Sequence, residues 1–151
     1  MMDKRKLGEK LNLSANDKLL EVDFRNGKVL KKVATKSDGI IYGIEISEIQ
    51  QASRKNLKFI ANHQMILQKG NVLNLPFSDN SFDKIYTINT VYFWEDVNRG
   101  LSEIHRVLRP NGIFINTIYS KEYLDKLPMT KYFFYCLVFE KQVHTKGRNS
   151  L

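Results

Sequence analysis

The sequence predicts an α/β fold, a doubly wound and mainly parallel sheet of about five or six strands with helices on both faces. Three observations carry this. Short apolar runs recur at 18–22, 40–46, 64–68, 84–89 and 112–118, several of them apolar almost throughout, as strands covered on both faces tend to be. Polar segments with helix-patterned apolar positions lie between them. Strand and helix therefore alternate, which favours parallel pairing through right-handed crossovers.

Each element has its own signal. The first strand, 18–22, runs into Glu21-Val22-Asp23-Phe24-Arg25-Asn26-Gly27. The second, 40–46, ends in Glu45-Ile46 and is followed by a helix over 47–62, with Ile49, Ala52 or Ser53, Leu57 and Ile60 near helical spacing. Ser47 with Gln50 fits a capping box for that helix. The third strand, 64–68, leads to Gly70-Asn71-Val72. Pro76 cannot continue a strand or helix interior, so Leu75-Pro76-Phe77 reads as a fixed turn whose apolar flanks dock on the sheet. A polar turn over 79–83 precedes the fourth strand, 84–89. Asp96 is an N-cap for a helix carrying Leu101, Ile104 and Leu108 on one face, stopped by Pro110-Asn111-Gly112. Gly112 is expected to take the positive φ of a tight entry to the fifth strand, 112–118. Beyond it come a helix over 121–126 and the apolar run 132–139, which adds one strand.

Composition sets bounds. The 151 residues, 42% hydrophobic and 26% charged, suit one soluble domain. The net charge of +8 comes from lysines and arginines scattered between apolar positions, so they read as solvated faces and nucleic acid is not an expected partner. The run 132–139 is too short to span a bilayer. The start of the chain lacks a signal-peptide pattern, and Cys136 is the single cysteine; a reducing, cytoplasmic setting is expected. The three histidines have no metal-ligand spacing, and no metal is assigned.

In open sheets of this kind the ligand sits beyond the carboxyl ends of the strands, where strand order reverses. Glu45 is the most informative residue there, because a carboxylate ending an apolar strand can accept both hydroxyls of a ribose. The alternative is a helix-entry acid favoured by the dipole.

Two segments are more specific. Leu75-Pro76-Phe77-Ser78-Asp79-Asn80-Ser81-Phe82-Asp83 and Glu103-Ile104-His105-Arg106-Val107-Leu108-Arg109-Pro110-Asn111-Gly112, with Leu19-Leu20-Glu21-Val22 and Tyr42-Gly43-Ile44-Glu45-Ile46-Ser47, resemble the class I S-adenosylmethionine-dependent methyltransferases of the methyltransferase-11 type. The resemblance covers 19–120 and implies a Rossmann-like fold, S-adenosylmethionine as cofactor and a small-molecule methyl acceptor. It implies that Glu21 lies near the methionine end, that Gly27 lets the next helix approach, and that Glu45 holds the ribose. Ile46 and Val72 would flank the adenine, Asn71 would bond its edge, and Asn89 would face the methionine part; Asp23 and Phe24 fall in the same site. No residue is carried over as a catalytic base, since in-line positioning suffices for methyl transfer. Tyr92, Phe93 and Trp94 are acceptor-pocket candidates or packing aromatics, both readings open.

The chain is expected to be one domain over 1–151, with an N-terminal extension (1–17), a cofactor-binding core (18–120) and an atypical C-terminal segment (121–151). That last segment suggests truncation and self-association. The family's glycine loop keeps only Gly27, because Asp23 and Arg25 occupy the first two glycine positions. Such replacements are expected to cost about 1–3 kcal/mol each, unless Arg25 pairs with the cofactor carboxylate. The alternatives are an inactive remnant or interaction protein of the same fold and, behind it, a nucleotide-dependent oxidoreductase, which lacks its Gly-x-Gly-x-x-Gly.

Overall fold

The computed structural model describes residues 4–118 and 137–140. Six strands, β1 (Lys18–Val22), β2 (Ile40–Glu45), β3 (Met65–Lys69), β4 (Phe82–Ile88), β5 (Leu108–Thr117) and β6 (Leu137–Glu140), form one sheet in the order β3-β2-β1-β4-β5-β6. The first five pair in parallel, and β6 runs antiparallel against β5. The expected fold class and all five core strands are present. Of the run 132–139, residues Leu137–Phe139 fall in β6; the expected helix over 121–126 and Cys136 lie outside the described residues.

Alternation along each strand divides the core in two. Leu19, Ile41, Met65, Tyr86 and Ile115 pack with Leu7 and Leu11 of α1 (Lys4–Leu11), Leu30 and Val33 of α2 (Lys28–Ala34) and Ala52 of α3 (Gln50–Lys55). Their sequence neighbours Leu20, Ile85 and Phe114 turn to the other face, where Ile104 and Val107 of α5 (Val97–Val107) cover them together with Val72 and Leu75. Period-2 side-chain placement on a sheet covered on both sides accounts for the nearly continuous apolar runs. Among the described residues no helix is long and apolar enough to cross a membrane.

Four local expectations need correction. The helix over 47–62 is broken into α3 and α4 (Leu57–Ala61). Asn56 causes the break: its Nδ2 donates to the carbonyls of Ala52 (2.8 Å) and Gly27 (3.2 Å), a side-chain competitor for helix backbone. Ser47 does not cap; its hydroxyl donates to Glu45 Oε1 at 2.9 Å, and Ile49 occupies the cap without a side-chain bond. Helix α5 ends at Val107, so Leu108 already belongs to β5, and Asn111, not Gly112, takes the positive φ of 63°. Gly112 is required for space, since a β-carbon there would stand 2.7 Å from the Arg109 carbonyl oxygen.

Other local expectations are met. Asp96 caps α5, its Oδ1 accepting from Arg99 N at 2.9 Å, as the short acidic side chain of an N-cap does. Around Pro76, Leu75 is buried and Phe77 packs edge-on against Phe82 with ring centroids 4.8 Å apart.

Candidate functional site

The sheet order reverses between β1 and β4: the chain winds from β1 outward to β3, then returns to the other side of β1. At the carboxyl ends there lies a cleft of about 200 Å³ lined by Asp23, Arg25, Glu45, Ile46, Asn71, Val72, Leu73, Thr90, Phe93, Trp94 and Glu95. This volume is below the roughly 300–1,000 Å³ usual for ligand clefts and cavities. Ile46 (57% exposed) and Phe93 (68%) stand at its rim.

The loop after β1 carries three left-handed residues in alternation, Asp23 (φ 57°), Arg25 (φ 53°) and Gly27 (φ 72°). Non-glycine residues resist this conformation, so their neighbours must hold them in it. Asp23 N donates to the Ile44 carbonyl at 2.8 Å, and Asp23 Oδ2 accepts from the Trp94 indole Nε1 at 2.7 Å. Arg25 N donates to Glu45 Oε2 at 2.7 Å. Gly27 is needed for approach, since a β-carbon there would lie 2.8 Å from Ala52 Cβ of α3.

Glu45 is buried, 4% exposed. Its Oε1 accepts from Ser47 N (3.1 Å) and Ser47 Oγ (2.9 Å), and its Oε2 from Arg25 N. A carboxylate has about four lone-pair sites; three are taken by these donors. Oε2 therefore retains capacity for one ligand hydroxyl, and a second at Oε1 requires the Ser47 hydroxyl to turn away.

Burial pushes the Asp23 carboxyl up; the Trp94 bond opposes this, the Glu45 charge adds to it, and a bond from Thr90 lowers it again. Beneath the loop, Glu21 is fully enclosed and accepts from Tyr86 Oη at 2.8 Å. Burial pushes its carboxyl up to about 8, against the Tyr86 bond and with a contribution from Glu45.

The far wall is held from α5. Leu75 N donates to Glu103 Oε2 at 2.8 Å, while Arg106 donates to Glu103, to the carbonyls of Leu75 (2.9 Å) and Phe77 (2.7 Å), and to Asp79 (2.9 Å). Hydrogen bonds from Arg106 hold the Glu103 carboxyl below its ordinary range, against the opposing effect of burial. Asn71 Oδ1 accepts from Leu73 N at 2.9 Å and shapes the turn beside the cleft.

Of the residues singled out in the sequence, Asp23, Glu45, Ile46, Asn71 and Val72 meet in this cleft. Four others lie elsewhere: Glu21 is under the loop against Tyr86, Phe24 is in the core with Leu30 and Ile41, Gly27 lies against α3, and Asn89 bonds the Thr117 carbonyl through its N–H at 2.8 Å. Phe93 and Trp94 line the cleft, and Tyr92 packs on Phe93. Leu73 and Glu95 are lining residues that sequence reasoning missed. Only their place just after a strand end signalled them.

Comparison with known proteins gives one consistent picture. A family profile described as a methyltransferase domain matches residues 20–116. YrhH of Bacillus subtilis is 32% identical over 113 residues, covering 73% of this chain and 62% of that protein. The 27-O-demethylrifamycin SV methyltransferase of Amycolatopsis mediterranei is 29% identical over 109 residues, 71% of this chain and 40% of that one. The crystal structure of a SAM-dependent methyltransferase from Aquifex aeolicus superposes with a TM-score of 0.73 at 24% identity, over 83% of this chain and 69% of the other, and supports the fold. The chain spans less than two thirds of the length of the two curated relatives.

Proposed function

This chain belongs to the class I S-adenosylmethionine-dependent methyltransferases, and from that premise we propose that it transfers a methyl group to a small-molecule acceptor. S-adenosylmethionine is the cofactor that membership implies. The observation that carries the reading is the convergence of Asp23, Glu45, Ile46, Asn71 and Val72 on one cleft at the strand-order reversal.

The residues present fit that cofactor. Glu45 keeps acceptor capacity for a ribose hydroxyl, Asn71 brings an amide to the wall, and Ile46 with Val72 offers apolar surface to a base. Asp23, Glu45 and Glu95 outnumber Arg25 as charged lining groups, which suits a cation. When bound, the cofactor supplies a methyl group already activated on a sulfonium. The chain's own task is then to orient it and to place an acceptor lone pair in line. Phe93 and Trp94, on the β4 side, are the surface we assign to the acceptor. Arg25 is positioned at the cleft and is available to a carboxylate.

The name of the Amycolatopsis relative supports a small-molecule acceptor over nucleic acid. The name of the Amycolatopsis relative is that of a methyltransferase, which supports an enzyme over the inactive remnant. We read 1–151 as one domain working in the cytoplasm, and propose self-association through its C-terminal segment. Calorimetric titration of the chain with S-adenosylmethionine tests the proposal: a dissociation constant in the micromolar range expected of enzyme ligands supports it, and no binding up to millimolar ligand overturns it.

A further inference from the structure

The order of strands sets an order of subsites. Asn71 and Val72 follow β3, Glu45 ends β2, Asp23 follows β1, and Thr90 and Trp94 follow β4, while β3, β2, β1 and β4 are neighbours in that sequence across the sheet. A nucleoside with its base at Asn71 and its ribose at Glu45 carries its 5′ substituent one strand further, to the end of β1. Adjacent strands lie about 5 Å apart, so that substituent arrives beside Asp23. The side chain there is a carboxylate held by Trp94 at 2.7 Å, where the family pattern has glycine.

In a methyl transfer the bond between sulfur and the methyl carbon breaks, its electron pair stays on sulfur, and the acceptor lone pair forms the new bond. The sulfonium donor thereby becomes a neutral thioether, S-adenosylhomocysteine. Donor and product differ by one methyl and one positive charge, and the sulfonium has no proton to donate. Only a field can tell them apart by charge, and a partly buried carboxylate supplies one that water screens poorly. We propose that Asp23 is a specificity residue that makes the cleft prefer the sulfonium donor to its thioether product, and so favours exchange of spent product for fresh donor. This rests on the methyltransferase reading.

Asp23→Asn is the discriminating variant: it removes the charge, keeps an oxygen for Trp94, and suits a left-handed backbone at least as well. Calorimetric titrations of the full chain with S-adenosylmethionine and with S-adenosylhomocysteine should show the donor weakened about tenfold and the product changed less than twofold. Equal changes for both ligands, or none for either, overturn the proposal while leaving the reading intact. Wild type gives a measurement that needs no variant: the donor should bind several-fold tighter than the product, and parity or the reverse overturns the proposal. Failure of wild type to bind either ligand overturns the reading and this inference together.

Discussion

The backbone N–H of Arg25 donates to Glu45 Oε2 at 2.7 Å, so the carboxylate at the end of β2 fixes the loop at the end of β1. One side chain thus has two tasks, holding a loop and offering an acceptor to a ligand. Glu45→Ala should weaken S-adenosylmethionine binding by more than tenfold and also lower stability by about 1–3 kcal/mol, the usual loss for hydrogen bonds to a charged group. Titration and urea melts read the two effects separately. Unchanged affinity would remove Glu45 from the cofactor site.

Arg25 and Asp23 both sit in left-handed backbone, but only Asp23 has a side-chain bond to Trp94. The conformation costs a non-glycine residue roughly 1–2 kcal/mol, and glycine gives back about 0.4–1 kcal/mol through the freer unfolded chain. Arg25→Gly should therefore be neutral or stabilising by up to about 1.6 kcal/mol. Asp23→Gly also forfeits a hydrogen bond worth about 1 kcal/mol, and should be neutral or destabilising. The reverse order in chemical melts would contradict this account of the loop.

Glu21 makes stability depend on pH in an unusual direction. Its carboxyl titrates near 8 in the folded chain, against the ordinary 4.5. Between those values the unfolded chain releases a proton that the folded chain keeps, so stability falls as pH rises across the window and levels off above it. Below about 4.5 both states are protonated and Glu21 contributes no slope. Melts of wild type and Glu21→Gln from pH 4 to 9 should diverge, with the variant gaining relative stability as pH rises. Parallel curves would show that Glu21 is charged in the fold.

Arg106 ties α5 to the turn around Pro76 through three partners, Leu75, Phe77 and Asp79. Arg106→Ala should cost about 2–4 kcal/mol, because buried Glu103 keeps only the Leu75 N–H and loses its charged partner. Arg106→Lys should recover little, since an ammonium cannot reproduce the planar fork. Full recovery by lysine in a thermal melt would reduce Arg106 to a simple charge.

The strands and the start of α5 were legible because their signals are local: an apolar run, or an aspartate at a cap. The break at Asn56 was not, because the carbonyl of Gly27 that helps hold its amide is 29 residues away. Site residues divide in the same way. Glu45 and Asn71 lie where strand ends meet the cleft. Phe24 and Gly27, though in the loop, are claimed by the core and by α3. Thr90 and Glu95 reach the cleft because a 3₁₀ turn over Val91–Phe93 bends the chain after β4, and no composition pattern announces that bend. The left-handed loop itself persists without two of the expected glycines, which places its shape under the control of Glu45, Ile44 and Trp94.

Trp94 is the single tryptophan of the chain, and its indole N–H is bonded to Asp23 in the cleft wall. All tryptophan emission from this protein therefore originates at the candidate site. A ligand that displaces water there, or a proton taken up by Asp23, changes the surroundings of that one chromophore, so the molecule carries its own optical reporter and needs no label.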